Sequence, residues 1–480
     1  MAAGVVPDDP DRRVAAVRQL SGVDAMHVLE ENPSQHMHTV KIVIVGAGPD
    51  GPLETGQVEE WARDRLPQIP ALRWVVHKIP GGLGRPVFVD AGPVDVGRHL
   101  RVERLAEPSD DALDEVVSRI ASIQLPRDRP LWELTLIEGL PDGALALVFK
   151  IHHAIMDGQA SVRFLELVFD SEIPLDLGPI PERPEPTPTR GELVRFALTE
   201  QARLYSRLPA VVRRSAASVR DNRARKSAGA PPVVNPMSGP STRFNKLPRP
   251  DRLYVDVTVP WERIVELKNA AGATVNEFFV ALCGGAVRRY LEAHGELPDR
   301  SLNVAHPVSL RHPHEVDDFG NRTSYWYVSL CTDIADPIER LVAVRATLAA
   351  AREWAQGDTE LFAVWQDYYL LFGTVTLKTL AVAERLSGRP LFNAVVSNVR
   401  GPSALAIEGA PVVAVRSMGP LTRVLGLNMT AWSYADTFSI GIQSCRDFMP
   451  DLRTMGQHVN DELDAFSVAL ECPSSAEQAV

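Results

Sequence analysis

Cysteine is scarce in this chain. Four stand in 480 residues, at Cys283, Cys331, Cys445 and Cys472, far apart and without a CxxC pair. That spacing argues against a disulfide framework or a zinc cluster and fits a reducing cytoplasm. No stretch of about 18 apolar residues runs without a charge, so no transmembrane helix is expected. The opening segment, MAAGVVPDDPDRR, lacks the basic start and apolar centre of a secretory signal. Positive charge is in deficit: 50 Lys+Arg against 61 Asp+Glu leave a net charge of −11. This argues against a nucleic-acid binder working through bulk charge. There is no internal repeat, and no G-x-S-x-G elbow of the kind an α/β-hydrolase needs.

What is present is an ordinary folded composition, 45% hydrophobic and 23% charged, long enough for a few domains at roughly 150 residues each. The segment from Glu172 to Thr189 carries prolines at 174, 179, 181, 184, 186 and 188, which forbid regular helix or central strand. From Arg190 to Lys226 ten Lys/Arg face three acids, and Leu193, Phe196, Ala197, Leu204 and Leu208 recur at helical spacing. Such a segment either lies on an anionic membrane surface or packs one face across two domains with the other solvated. Ala228 to Pro250 reads as loop. The chain therefore divides into an N-terminal domain at 1–185, a Pro-rich and basic linker at 186–245, and a C-terminal domain at 246–480.

Both large segments mix strands and helices. Val40–Val45, Ala144–Ile151, Leu253–Val259, Asn303–Val308, Ser324–Leu330 and Phe438–Ser444 read as strands. Asp110–Ile123, Gln159–Phe169, Val275–Ala293 and Pro337–Trp354 read as helices. The fold class is α/β in two halves. Gly46-x-Gly48-x-x-Gly51 follows an apolar strand and imitates a dinucleotide fingerprint. Pro49 and Pro52 bracket its last glycine and no helix opens inside it, so a strand ending in a turn is the better account.

The strongest local signal is an apolar strand that runs into His152-His153-Ala-Ile-Met-Asp157-Gly158 and then a helix. Strand period is two, so the histidines face opposite ways and play different parts. An imidazole titrates near working pH and can take a proton from an alcohol that attacks a carbonyl. A structural histidine pair and a metal site are the other readings, the latter opposed by opposite faces and no third ligand at suitable spacing. Asp157 is also a natural N-cap, and Gly158 a turn residue.

HHAIMDG matches the HHxxxDG motif of CoA-dependent acyltransferases, and the surroundings sharpen the match. Leu20-Ser-Gly-Val-Asp-Ala-Met26 with Met37-His38, Arg129-Pro-Leu-Trp132-Glu133, Thr274-Val-Asn276-Glu277, Pro307-Val-Ser-Leu-Arg311 followed by Gly320-Asn321, Ser397-Asn398-Val-Arg-Gly401-Pro402, and Gly426-Leu-Asn428 through Gly441 appear in order. Together they resemble the bacterial wax ester synthase/diacylglycerol acyltransferase family over nearly the whole chain. The resemblance implies two chloramphenicol-acetyltransferase-like domains with a substrate tunnel at their interface. It makes His153 the general base, His152 its supporting neighbour, and Asp157 an architectural residue paired with an arginine, for which Arg311 is the candidate. The implied substrates are acyl-CoA, as cosubstrate with no bound cofactor, and a lipid alcohol, either diacylglycerol or a fatty alcohol.

The oxyanion of the tetrahedral intermediate needs a fixed donor; Asn276, Ser397 and Asn428 are the candidates, with capping and turn roles as alternatives. The aromatic-rich stretch Leu361–Leu386 reads as tunnel wall, as lipid contact, or as a core helix pair broken around Gly373. Glu277, Arg400, Asp436 and His306 depart from the family pattern, and the later ones fall in blocks expected at the tunnel. Two other functions fit the fold: a condensation or natural-product acyltransferase, and a non-catalytic lipid binder. The expected location is cytoplasmic, with peripheral contact to the inner membrane face or lipid inclusions left open.

Overall fold

A computed structural model describes residues 13–14, 17–171, 180–229, 233–311, 319–355 and 361–471. Cys472, part of the proline segment and part of the 228–250 loop lie outside these. Residues 180–189 of the proline segment contain neither helix nor strand.

Two six-stranded mixed sheets dominate. In the first, strand order is Ala406–Ile407, Ala410–Met418, His38–Val45, Leu145–His152, Trp132–Glu138, Leu100–Arg104. In the second it is Thr323–Ser329, Asn303–Ser309, Ala394–Arg400, Leu427–Tyr434, Thr437–Cys445, Arg252–Pro260. The central strands His38–Val45 and Leu145–His152 are buried at every position. Their continuous apolar reading follows, because helices and the partner half cover both faces. A small sheet of four strands, from Arg13 to Asp90, flanks the first.

The first sheet is not closed by N-terminal residues. Strand Ala410–Met418 pairs antiparallel with His38–Val45, placing Ser417 opposite Lys41. Asp170 and Ala406 exchange backbone hydrogen bonds, and the Tyr434 hydroxyl accepts from the Leu405 amide. A division at residue 246 therefore cuts through a sheet. The exchange is reciprocal: helix Asp110–Ala121 of the first half covers the open edge of the second sheet. There the Arg252, Tyr254 and Asp256 amides donate to Ser122 Oγ, Ser118 Oγ and Asp114 Oδ2. Capping an edge with side-chain acceptors removes a pairing template.

The 186–245 segment is largely helical, as Arg190–Ser206 and Leu208–Ser227, with Pro209 in the first turn of the second helix where its missing amide costs nothing. The glycine decoy is a tight turn in which Gly48 and Gly51 bond each other, Gly51 at φ +111°. The aromatic stretch breaks at Gly373, φ +54°, into helices Leu361–Phe372 and Thr374–Ser387. Leu377 and Leu380 of the second helix line a cavity rather than the core.

Candidate active site at the junction of the sheets

Strand Leu145–His152 delivers both histidines. His152 is fully buried, on the side of Glu31 and Arg127. Its Nδ1 accepts the Ala154 amide at 3.1 Å, so the proton sits on Nε2, 3.6 Å from the Glu31 carboxylate. Burial, then the Arg127 charge, holds its pKa well below the ordinary imidazole value. It is a neutral, pinned ring.

His153 turns the other way. Its amide donates to the Met37 carbonyl at 2.7 Å, and its own carbonyl accepts from Asn321 Nδ2 at 2.6 Å. Burial brings its pKa down to about 4; the Asp157 carboxylate pulls upward against this, and the Lys41 charge pushes further down. The ring is therefore neutral at neutral pH, with a lone pair to take a proton.

The loop after His153 is fixed by residues from the second half. Asp157 caps helix Gly158–Val168 through the Ala160 amide at 2.9 Å. Arg311 Nη1 reaches its two oxygens at 2.7 and 2.5 Å, and the Arg322 amide and Thr323 hydroxyl add bonds at 2.9 and 3.0 Å. Arg311 Nη2 donates to the Gly320 carbonyl, and the Gly320 amide donates to Ile155. Gly320 sits at φ +99°, and a Cβ there would stand 3.2 Å from Asp24 Oδ2, so glycine is required twice over. Asp157 and Arg311 thus form the pair expected from the motif. Gly158 departs from expectation: it is the first helical residue, with no positive φ. Its small size is needed because a Cβ would lie 2.9 Å from Val399 Cγ2.

The three oxyanion candidates separate. Asn276 sits in the first turn of helix Val275–Ala293, in a surface cleft with Trp326 and Arg352, a different cavity from the one beside the histidines. This excludes it as a donor; the helix is capped there by Thr274 and Glu277. Asn428 is on the inward face of its strand, but its amide donates to Pro420 O and its carbonyl accepts from Thr430, so it is spent on a turn. Ser397 shares a strand face with Val395, which lines the cavity beside the histidines, and stays a candidate. The departures do not line that cavity. Glu277 caps a helix, Arg400 is exposed at a strand end, Ala435-Asp436 forms a hairpin turn, and His306 bonds the Val396 carbonyl inside the second sheet.

That cavity has a volume of about 310 Å³. Met26, His27, Tyr325, Tyr327, Leu380 and Phe392 give it an apolar wall. A larger cleft of about 710 Å³ beside helix Asp110–Ala121 shares no residue with the histidines. Three buried neighbours of the motif loop were given no role by the sequence reading. Asp24 accepts Asn321 N and Nδ2 at 3.0 and 2.6 Å, and burial raises its pKa to about 6. His27 meets His153 ring to ring, centres 4.6 Å apart and planes tilted by 52°. Lys41 is buried, bonded to Thr39 and Ser417 hydroxyls at 3.0 and 2.7 Å, and lies over the Trp432 ring. Asp24 and His27 are three apart on helix Gly22–Glu30, after the Ser21 cap, so helical spacing carried a signal for both.

Known proteins agree with this geometry. Residues 20–279 match the model of the wax ester synthase/diacylglycerol acyltransferase catalytic domain, and 319–467 that of the WS/DGAT C-terminal domain. Two Mycobacterium tuberculosis relatives carrying the name diacylglycerol O-acyltransferase are 31% and 32% identical. The first covers 89% of this chain and 91% of the relative, the second 89% and 92%. The wax ester synthase/diacylglycerol acyltransferase of Marinobacter aquaeolei VT8 superposes with TM-score 0.66 at 25% identity, over 94% of this chain and all of that one. The first condensation domain of the calcium-dependent antibiotic synthetase shares the fold, with TM-score 0.56 at 16% identity over 93% and 96% of the two chains. The sheets are thus the two halves of that acyltransferase fold, and the chain is an acyl-CoA-dependent acyltransferase that belongs to the wax ester synthase/diacylglycerol acyltransferase family.

Proposed function

We propose that the protein moves a long-chain acyl group from acyl-CoA to the free hydroxyl of diacylglycerol, forming triacylglycerol, and accepts long-chain alcohols as alternatives, forming wax esters. One observation carries the reading: a neutral imidazole, clamped through its backbone, stands against a histidine that lines an apolar cavity. His153 takes the hydroxyl proton as the alcohol oxygen attacks the thioester carbonyl. The tetrahedral intermediate collapses, the C–S bond breaks, and His153 returns the proton to the CoA thiolate. His152, Asp157 and Gly158 hold the loop and do not react. Each methylene of the acyl chain buried against such walls contributes about 0.8 kcal/mol, which favours long chains.

The same reading extends to location. Leu198 and Tyr205, then Val212 and Val219, are about half exposed at seven-residue intervals on the two helices of the basic segment. Charge complementarity with their arginines supports contact of this face with an anionic membrane surface. Flotation with phosphatidylglycerol vesicles, absent with phosphatidylcholine and lost on R213E/R214E/R220E, is the expected result; equal flotation of both proteins refutes it.

The reaction is tested by thiol release from palmitoyl-CoA with diacylglycerol, with hexadecanol and with neither, for wild type and His153→Ala. Release should need an alcohol, be faster with diacylglycerol, and vanish in the variant. Equal release by both proteins, or none with either alcohol, overturns the proposal.

A further inference from the structure

The reaction needs a donor for the oxyanion, and the C-terminal blocks supply a poor set. Asn276 lies in a separate cleft and Asn428 is spent on Pro420 and Thr430. His27 has what they lack. It is 2% exposed, it lines the apolar cavity, its ring meets that of His153 at 4.6 Å and 52°, and its Nδ1 is buried without a hydrogen-bond partner. Buried polar atoms are nearly always paired, and an exception needs a reason. The neighbours give one. Helix Gly22–Glu30 and the His153 loop are held by the same side chain: Asn321 Nδ2 donates to Asp24 and to the His153 carbonyl, both at 2.6 Å. The spacing of the two imidazoles is thereby built in.

We propose that His27 is a catalytic residue that donates a hydrogen bond to the oxyanion of the tetrahedral intermediate. This rests on the acyl-transfer reading above. As the alcohol oxygen bonds to the thioester carbon, its proton passes to His153 and the carbonyl π pair moves onto oxygen. The N–H of neutral His27 meets that charge. Burial and the two histidines beside it keep His27 uncharged, so it donates without losing its proton. When the C–S bond breaks, the carbonyl reforms, the hydrogen bond weakens, and His153 protonates the thiolate.

The test compares His27→Leu, His27→Phe and His27→Asn by thiol release from palmitoyl-CoA with diacylglycerol, beside wild type and His153→Ala. Loss of one oxyanion donor should lower kcat about 10² to 10³-fold with KM for palmitoyl-CoA unchanged. H27L and H27F should show this fall, whichever of them folds, as judged by near-ultraviolet circular dichroism. H27N, which keeps an N–H near the position of Nδ1, should recover at least tenfold over them. Apolar variants within threefold of wild type, a loss that appears as raised KM, or no recovery in H27N overturns the inference while leaving the His153 result standing. A wild type that releases no thiol with any alcohol overturns the reading beneath it and the inference together.

Discussion

Removing the charge at Asp157 should cost more stability than removing the charge at Arg311, and removing both should cost no more than the first alone. Both side chains are almost fully buried, at 4% and 2% exposure. In Asp157→Asn the charge shared by Arg311 Nη1, the Ala160 and Arg322 amides and the Thr323 hydroxyl is lost, while Arg311 Nη2 keeps the Gly320 carbonyl. Breaking a buried ion pair by removing one partner costs about 3 to 5 kcal/mol. In Arg311→Met the carboxylate still accepts from the Ala160 and Arg322 amides and the Thr323 hydroxyl. Hydrogen bonds to a charged group contribute about 1.5 to 3 kcal/mol each, so the carboxylate remains partly satisfied and the loss should be about 2 kcal/mol. The double variant should be near D157N, which gives a coupling of about 2 kcal/mol. Urea unfolding followed by tryptophan fluorescence measures all four proteins. Additive losses in the double variant, with a coupling below about 0.5 kcal/mol, would refute the reasoning, since non-interacting sites add within that margin. Exchanging the two residues should not restore stability, because arginine at 157 cannot accept from the three remaining donors.

Asn321→Ala removes the bond that holds the His153 carbonyl and the Asp24 carboxylate; kcat should fall about 10²-fold with little change in KM for acyl-CoA, and an unchanged kcat refutes the role. Burial brings the Lys41 pKa down to about 7 from 10.5, so between those values the unfolded chain binds a proton that the folded one does not, and stability rises with pH. Lys41→Met should abolish that rise; parallel pH series for the two proteins from 7 to 9 would count against it. With its pKa near 4, His153 should stay unprotonated down to that pH, so the acid limb of kcat/KM should lie near pH 4; a limb at the ordinary imidazole value near 6.5 would contradict the burial reading.

Much of this was legible in the residues because local chemistry and global structure agree. Strand Leu145–His152 and helix Val275–Ala293 carry their period openly, and a motif aspartate beside a strand end must find a cation when it is buried. The partner could be named from Pro307-Val-Ser-Leu-Arg311 by family resemblance. What could not be read was everything set by strand exchange. Nothing local to Ala410–Met418 says that it pairs with His38–Val45 rather than within its own half, because pairing choice is a tertiary property. Nor does Lys41 look buried until Ser417 is placed opposite it. Asn276 failed for a related reason: its block reads as signature, but the side chain caps nothing reactive and opens on a separate cleft. His27 was missed because a single histidine on a short helix is unremarkable until the second ring stands against it.

The exchange also explains why the site cannot belong to either half. His153, the base of the proposed reaction, ends a first-half strand, but its loop is bonded at Ile155, His153 and Asp157 to Gly320, Asn321 and Arg322 of the second. The sheet behind that strand takes Ala410–Met418 from the second half, and the second sheet's open edge is capped by serines and an aspartate from the first. A shift of one half against the other would break the Asp157 contacts before it opened either hydrophobic core. The cavity beside His27 draws its walls from Met26 on one side and Tyr325, Leu380 and Phe392 on the other, so it exists only while that register holds.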